Sequence, residues 1–61
     1  MKKCMRIVVD LEFCWIDVYD GKKLVSRFTL DSLDEDEVES VVSELKELLE
    51  HLNIEYEVDY I

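Results

Sequence analysis

Residues 35–51 read EDEVESVVSELKELLEH, and this stretch decides the fold. Its apolar residues recur at intervals of three and four, which places them on one stripe of an α-helix. A stripe of this kind is buried against another element, so the rest of the chain must supply the surface that it covers. The stripe consists of Val38, Val41, Val42, Leu45, Leu48, Leu49 and Leu52.

Capping residues in the sequence also indicate where this helix begins and ends. Asp34 is the favoured N-cap, with Glu37 three residues later as in a capping box, and Ser32 is the alternative cap. Acidic residues in the first turn are stabilised by the helix dipole. Asn53 suits the other end, because asparagine tolerates the left-handed conformation that stops a helix. We therefore predict a helix over about Glu35 to His51.

The segments before and after the helix have the patterns of β-strands. Residues 54–60 alternate between apolar and acidic side chains, and the pair Asp20-Gly21 between two β-rich runs predicts a hairpin. In residues 4–19 the apolar positions change phase by one residue, which indicates either a turn between two strands or a bulge in one long strand. One strand of that length would overhang the helix, so we favour a turn near residues 10–12.

The sequence therefore predicts a single small α+β domain over residues 1–61. The favoured element order is β-β-β-α-β, with a small antiparallel or mixed sheet and a single helix packed on one face. The alternative is β-β-α-β, with one long bent first strand. We expect the last strand to join the sheet beside the first, after the helix has crossed over.

One face of this sheet has no cover within the chain. The face under the helix is expected to carry Phe13, Trp15, Leu24, Phe28 and Leu30. An apolar set left on the other face would mark a contact surface, since small soluble domains rarely leave such patches exposed. We predict that a homodimer forms through this set, which is Cys14, Ile16, Val18 and Val25.

Charge is distributed unevenly along the chain. The formal net charge is −9, and residues 31–61 contain twelve acidic residues against one basic residue, Lys46. Such a field repels nucleic acid and anionic membranes and attracts basic proteins or cations. We expect no nucleic-acid or membrane partner, and a basic protein partner that faces the acidic side of the helix, with Glu39, Glu44, Glu47 and Glu50.

Acidic residues also support a second hypothesis, a divalent-cation-binding domain. Calcium and magnesium prefer carboxylate oxygens, although acids at a helix N-terminus also stabilise the helix with no ion present. The spacing lacks the central glycine and terminal glutamate of an EF-hand loop. The candidate ligands for calcium or magnesium are Asp31, Asp34, Glu35 and Asp36.

The string IVVDLE at residues 7–12 resembles the first metal-binding motif of DnaQ-type 3′–5′ exonucleases, in which an Asp-x-Glu ends a strand. The predicted element order is also similar to the opening of ribonuclease H-like folds. These resemblances imply carboxylates at the end of the first strand and beyond the crossover, where Asp10 and Asp59 stand. Two-metal hydrolysis needs further acids, so the resemblance implies at most a fragment without a full active site.

Other catalytic patterns are missing from the sequence. His51 is the only histidine, and one glycine, Gly21, does not make a phosphate-binding loop. With no signal peptide and no long apolar run, we expect a cytoplasmic protein with Cys4 and Cys14 reduced. Abundant Glu and Lys without Gln is a composition found in heat-adapted proteins. Our first hypothesis is a small acidic, non-enzymatic protein-interaction or regulatory module without a cofactor.

Overall fold

A computed structural model describes residues 4–31 and 34–61, and its elements follow the order β-β-β-α-β. The strands form one mixed sheet in the order β3-β2-β1-β4, with β1 antiparallel to β2 and parallel to β4. The favoured element order is confirmed, and the last strand lies beside the first. The elements are β1 (Cys4–Asp10), β2 (Trp15–Asp20), β3 (Lys23–Thr29), α1 (Glu35–His51) and β4 (Glu55–Tyr60).

Helix α1 begins where its predicted cap places it. The carboxylate of Asp34 accepts a hydrogen bond from the backbone N–H of Asp36 at 3.0 Å, which satisfies one of the free donors of the first turn. Ser32, the alternative cap, lies outside the described residues. The prediction that Asp34 caps the helix is therefore confirmed.

The other end of α1 is closed by a Schellman motif. Asn53 has a φ of 57°, and its N–H donates to the carbonyl of Glu50, while the N–H of Ile54 donates to the carbonyl of Leu49. Ile54 packs against the hydrophobic core to which Leu49 belongs, and a hydrophobic contact of this kind accompanies the motif. The helix therefore ends at the predicted position.

The core lies between α1 and the sheet face that it covers. Ile7, Val9 and Ile16 are at most 1% exposed and form its centre. Fully burying an aliphatic side chain contributes about 1.5–3 kcal/mol, so these few residues dominate the stability of a short chain. The helix contributes Val38, Val42 and Leu49, with Val41 and Leu45 partly buried beside them.

A turn over residues 11–14 separates β1 from β2, which confirms two strands instead of one bent strand. The carboxylate of Asp10 accepts hydrogen bonds from the backbone N–H groups of Glu12 and Phe13, at 3.0 and 3.1 Å. Cys14 adopts the left-handed conformation with a φ of 58°. An aspartate side chain and one left-handed residue thus form a turn that contains neither glycine nor proline.

A bulge in β3 changes which residues of β2 share a face with Phe28. Val25 is an extra residue with no partner in β2. A regular ladder from the hairpin would pair Phe28 with Trp15, whereas the bulge pairs it with Ile16. Because side chains alternate between the faces of a strand, this slip of one residue places Ile16, and not Trp15, on the face of Phe28. The pairing of Ile16 with Val9 of β1 makes this the face under the helix.

The predicted interface set is corrected by this register. Ile16 and Val18 are 0% and 5% exposed and lie in the layer under the helix, with Val18 opposite Ile7. Of the other two members, Cys14 is partly exposed and Val25 is 54% exposed. The expectation that Cys14, Ile16, Val18 and Val25 point away from the helix together is therefore wrong.

The hairpin between β2 and β3 is closed by Gly21 and Lys22, as the Asp20-Gly21 pair predicts. Gly21 has a φ of 63°, and a Cβ there would meet no atom within 4 Å. Gly21→Ala is expected to cost about 1–2 kcal/mol of unfolding free energy, because an L-residue is strained at this φ even in open space. Urea denaturation measures this loss.

The control for this prediction is a synthetic chain with D-alanine at position 21. D-Alanine adds the same methyl group but favours positive φ, so we expect it to keep the stability of the glycine chain. Equal losses with the two alanines would mean that the methyl group, and not the backbone conformation, is responsible.

Candidate functional site

A cleft opens at the end of the sheet where β1 and β4 finish and α1 begins. Past the strands, the N–H of Ile61 donates to the carbonyl of Val9 at 2.9 Å, and the N–H of Leu11 donates to the carbonyl of Ile61 at 3.3 Å. These bonds hold Leu11 beside the end of β4. The cleft, here called the end cleft, has a volume of about 440 Å³ and is lined by Leu11, Glu35, Val38, Glu39 and Tyr60.

The end cleft combines an apolar wall with two carboxylates. Leu11 and Tyr60 are exposed, and Val38 at the floor belongs to the core. Glu35 and Glu39 lie exposed on the first turns of α1, and neither carboxylate forms a hydrogen bond or an ion pair with the residues that the structure describes. An apolar wall beside carboxylates suits the alkyl stem and charged head of a lysine or arginine side chain.

The glutamates predicted to face a basic partner lie on one side of α1, but they have different neighbours. Glu39 lines the end cleft, and Glu50 lies near Tyr56 of β4. At about 100° per residue, Glu50, Glu47 and Glu44 lie about 20°, 80° and 140° around the helix axis from Glu39. The four residues Glu39, Glu44, Glu47 and Glu50 are all exposed, but Glu39 alone among them contributes to the end cleft.

Tyr56 and Glu50 form a pair whose effect depends on pH. Burial raises the pKa of Tyr56 above its ordinary value of 10.0, and the Glu50 carboxylate raises it further through its charge and a hydrogen bond. The folded chain therefore holds the phenol proton more tightly than the unfolded chain does. This contribution to stability is complete below about pH 10 and is lost as the pH rises through the pKa of the folded state.

We therefore expect the unfolding free energy to fall above about pH 10 more steeply in the wild-type chain than in Tyr56→Phe. Urea denaturation at several pH values on either side of 10 measures the difference. Tyr60→Phe is the control, because it removes an exposed tyrosine at the far end of the same strand. A Tyr56→Phe variant with the wild-type pH dependence would contradict the prediction.

The sheet face away from α1, here called the open face, carries two ion pairs beside apolar side chains such as Val8 and Trp15. Asp17 is 5% exposed, and its carboxylate accepts two hydrogen bonds from Arg27, from Nε at 2.6 Å and from Nη2 at 3.1 Å. The hydrogen bond with Asp17 raises the pKa of Arg27 above its ordinary value. Arg6 pairs with Asp59 at 2.6 Å near the other edge of the sheet.

Two aromatic rings extend this arrangement. The Cζ atom of Arg27 lies 3.9 Å from the centre of the Trp15 ring. The rings of Trp15 and Phe13 are stacked, with 4.9 Å between their centres and 14° between their planes, and Phe13 is 60% exposed. We call Phe13, Trp15 and Arg27 the aromatic stack. Sequence reasoning assigned both rings to the core, because a regular ladder from the hairpin would place Trp15 on the face of Phe28 and the pattern gave no sign of the bulge.

The carboxylates that match the nuclease motifs have structural partners. Asp10 accepts the two backbone N–H groups of its turn, and Asp59 is paired with Arg6. Glu12 lies exposed in the turn. Within residues 4–31 and 34–61, no group of three or more His, Cys, Asp or Glu side chains is placed to hold a metal ion. The element order matches the resemblance, but fold alone does not imply its chemistry.

The acids at the start of the helix likewise do not converge on a cation site. Asp34 serves as the N-cap, and Glu35 lines the end cleft. Among the described residues, none of these acids belongs to a group of three or more that could hold a metal ion. Cation binding by Asp31, Asp34, Glu35 and Asp36 therefore stays a prediction, while Asp34 caps the helix and Glu35 borders the end cleft.

Comparison with known proteins finds no match for this chain: no protein-family model, no curated protein and no solved structure. In the part of the chain that the structure describes, no helix is long and apolar enough to cross a membrane. The end cleft and the aromatic stack are the features of the described residues from which a function is inferred.

Proposed function

We propose that this chain is a non-enzymatic interaction module that binds a basic protein partner through the end cleft. The observation that carries the proposal is the cleft's lining, in which the carboxylates of Glu35 and Glu39 stand beside three apolar side chains. A lysine or arginine of the partner packs its alkyl stem against Leu11 and Tyr60 and places its charged head near the carboxylates. The volume of about 440 Å³ is within the range of ligand pockets.

Charge and apolar contact contribute to this binding in different ways. An exposed ion pair contributes about 0.2–1 kcal/mol, so the two glutamates together give at most about 2 kcal/mol. Contact of the alkyl stem with the apolar wall supplies the rest of the binding free energy, at about 25 cal/mol per Å² of apolar surface removed from water. The net charge of −9 speeds the encounter with a basic partner and makes the association weaken as salt rises.

The test is an affinity measurement with a defined probe, a hexapeptide of alternating leucine and arginine, followed by amide shifts. We expect the largest shifts at Leu11, Glu39 and Tyr60. The double variant Glu35→Gln, Glu39→Gln should bind the peptide roughly tenfold more weakly, which corresponds to the loss of two exposed ion pairs.

The matched control is the double variant Glu44→Gln, Glu47→Gln. It removes the same charge from α1, but at positions outside the end cleft, and we expect it to weaken binding less than about threefold. Equal losses in the two double variants would mean that the peptide responds to net charge alone, and the assignment to the end cleft would be wrong. Affinity that does not change with salt would contradict the role of charge.

Self-association is not part of this proposal. The sequence predicts it from an apolar open face, but that face carries the ion pairs of Asp17 with Arg27 and of Asp59 with Arg6. Ile16, central to the predicted interface, lies in the core. The predicted set therefore does not form one exposed surface, and self-association stays a prediction that sedimentation tests.

A further inference from the structure

The aromatic stack ends in an exposed ring whose position is fixed by the groups beneath it. The buried carboxylate of Asp17 holds Arg27 through two hydrogen bonds, Arg27 lies over Trp15, and Trp15 stacks on Phe13. Each contact restricts the next side chain, so Phe13 presents an ordered ring to solvent. An ordered aromatic surface has little freedom left to lose when it binds a ligand.

The charge around the Phe13 ring decides which ligand suits it. Asp10 ends the strand before this turn, Glu12 lies in the turn beside Phe13, and the chain as a whole carries a net charge of −9. These negative charges near the ring favour a positively charged ligand. A guanidinium group both carries positive charge and lies flat on an aromatic ring. The protein contains its own example, since the guanidinium of Arg27 lies 3.9 Å from the centre of the Trp15 ring.

We infer that Phe13 is a second anchor for the basic partner and takes the guanidinium group of an arginine, while a second basic side chain of the same segment occupies the end cleft. This inference rests on the proposed function. Phe13 and Leu11 belong to one turn, and the geometry of the chain limits their Cα atoms to about 7 Å apart. A short extended segment of the partner that crosses this turn reaches both anchors.

Trp15 is the only tryptophan, so its fluorescence reports on the aromatic stack without a label. The probes are two peptides of equal charge, acetyl-Lys-Gly-Gly-Arg-amide and acetyl-Lys-Gly-Gly-Lys-amide. We expect the arginine peptide to bind roughly two- to fivefold more tightly than the lysine peptide and to change the Trp15 emission more strongly. Equal affinities of the wild-type chain for the two peptides would overturn the inference.

Phe13→Leu is the deciding variant, because leucine keeps the apolar bulk and removes the ring. It should lose the preference for arginine and keep its affinity for the lysine peptide, with an unchanged circular dichroism spectrum. Leu24→Ala, an exposed apolar residue of β3, should keep the preference. A preference that survives in Phe13→Leu would overturn the inference and leave the end cleft intact.

The same titrations separate this inference from the proposed function. Binding of the lysine peptide that weakens in Glu35→Gln, Glu39→Gln supports the end cleft, whatever Phe13→Leu shows. If the wild-type chain binds neither peptide, the proposed function is wrong, and the second anchor is overturned with it.

Discussion

Replacing Ile16 by alanine is expected to lower the free energy of unfolding by about 2–5 kcal/mol, the usual cost of truncating a buried isoleucine. Ile16 is fully buried and belongs to the core cluster with Ile7 and Val9. A domain of this length has a total stability of roughly 3–9 kcal/mol, so the variant keeps little of it. Urea denaturation followed by far-ultraviolet circular dichroism measures the loss.

Val25→Ala is the matched control, because the sequence pattern assigned both residues to the same surface. Val25 is the exposed extra residue of β3, and its truncation is expected to change the stability by less than about 1 kcal/mol. If Ile16→Ala were as mild as Val25→Ala, the two side chains would share an environment. The pairing of Ile16 with Val9, which places Ile16 under the helix, would then be wrong.

The contrast between these two residues shows which parts of the fold a sequence determines. The ends of α1 depend on Asp34 and Asn53, and the hairpin depends on one glycine with positive φ. Each of these signals acts within a few residues of the structure that it predicts. The bulge at Val25 has no such signal, since valine suits either face of a strand, and its single-residue slip decides which residues of β2 share a face with Phe28.

The candidate site was predictable only in part, for a related reason. Charge alone singled out Glu35 and Glu39, but their neighbours Leu11 and Tyr60 come from distant parts of the chain. The end cleft exists because the crossover brings the end of β4 beside the end of β1, and no local pattern specifies which side chains meet there. The aromatic stack likewise depends on the β2–β3 register, which pairs Asp17 with Arg27.

Arg27→Met is expected to cost about 1–3 kcal/mol of unfolding free energy, the penalty for leaving the buried Asp17 carboxylate without its hydrogen-bond donor. The carboxylate of Asp17 is buried and accepts two hydrogen bonds from Arg27. Methionine leaves this carboxylate charged and unpaired within the sheet. Its chain still covers Trp15, so the measured loss reflects mainly the charge. Urea denaturation at neutral pH and low salt measures it.

Arg6→Met is the matched control, since the same substitution on the same face breaks an ion pair with Asp59 whose side chains are 56% and 41% exposed. Water solvates that pair, and we expect the variant to lose less than about 1 kcal/mol of unfolding free energy. Adding Asp17→Leu to Arg27→Met should recover much of the larger loss, because it removes the unpaired charge. If the two arginine variants lost equal free energy of unfolding, leaving Asp17 unpaired would cost no more than leaving an exposed carboxylate unpaired. The ordered position of the aromatic stack would then need another cause than the buried acid beneath it.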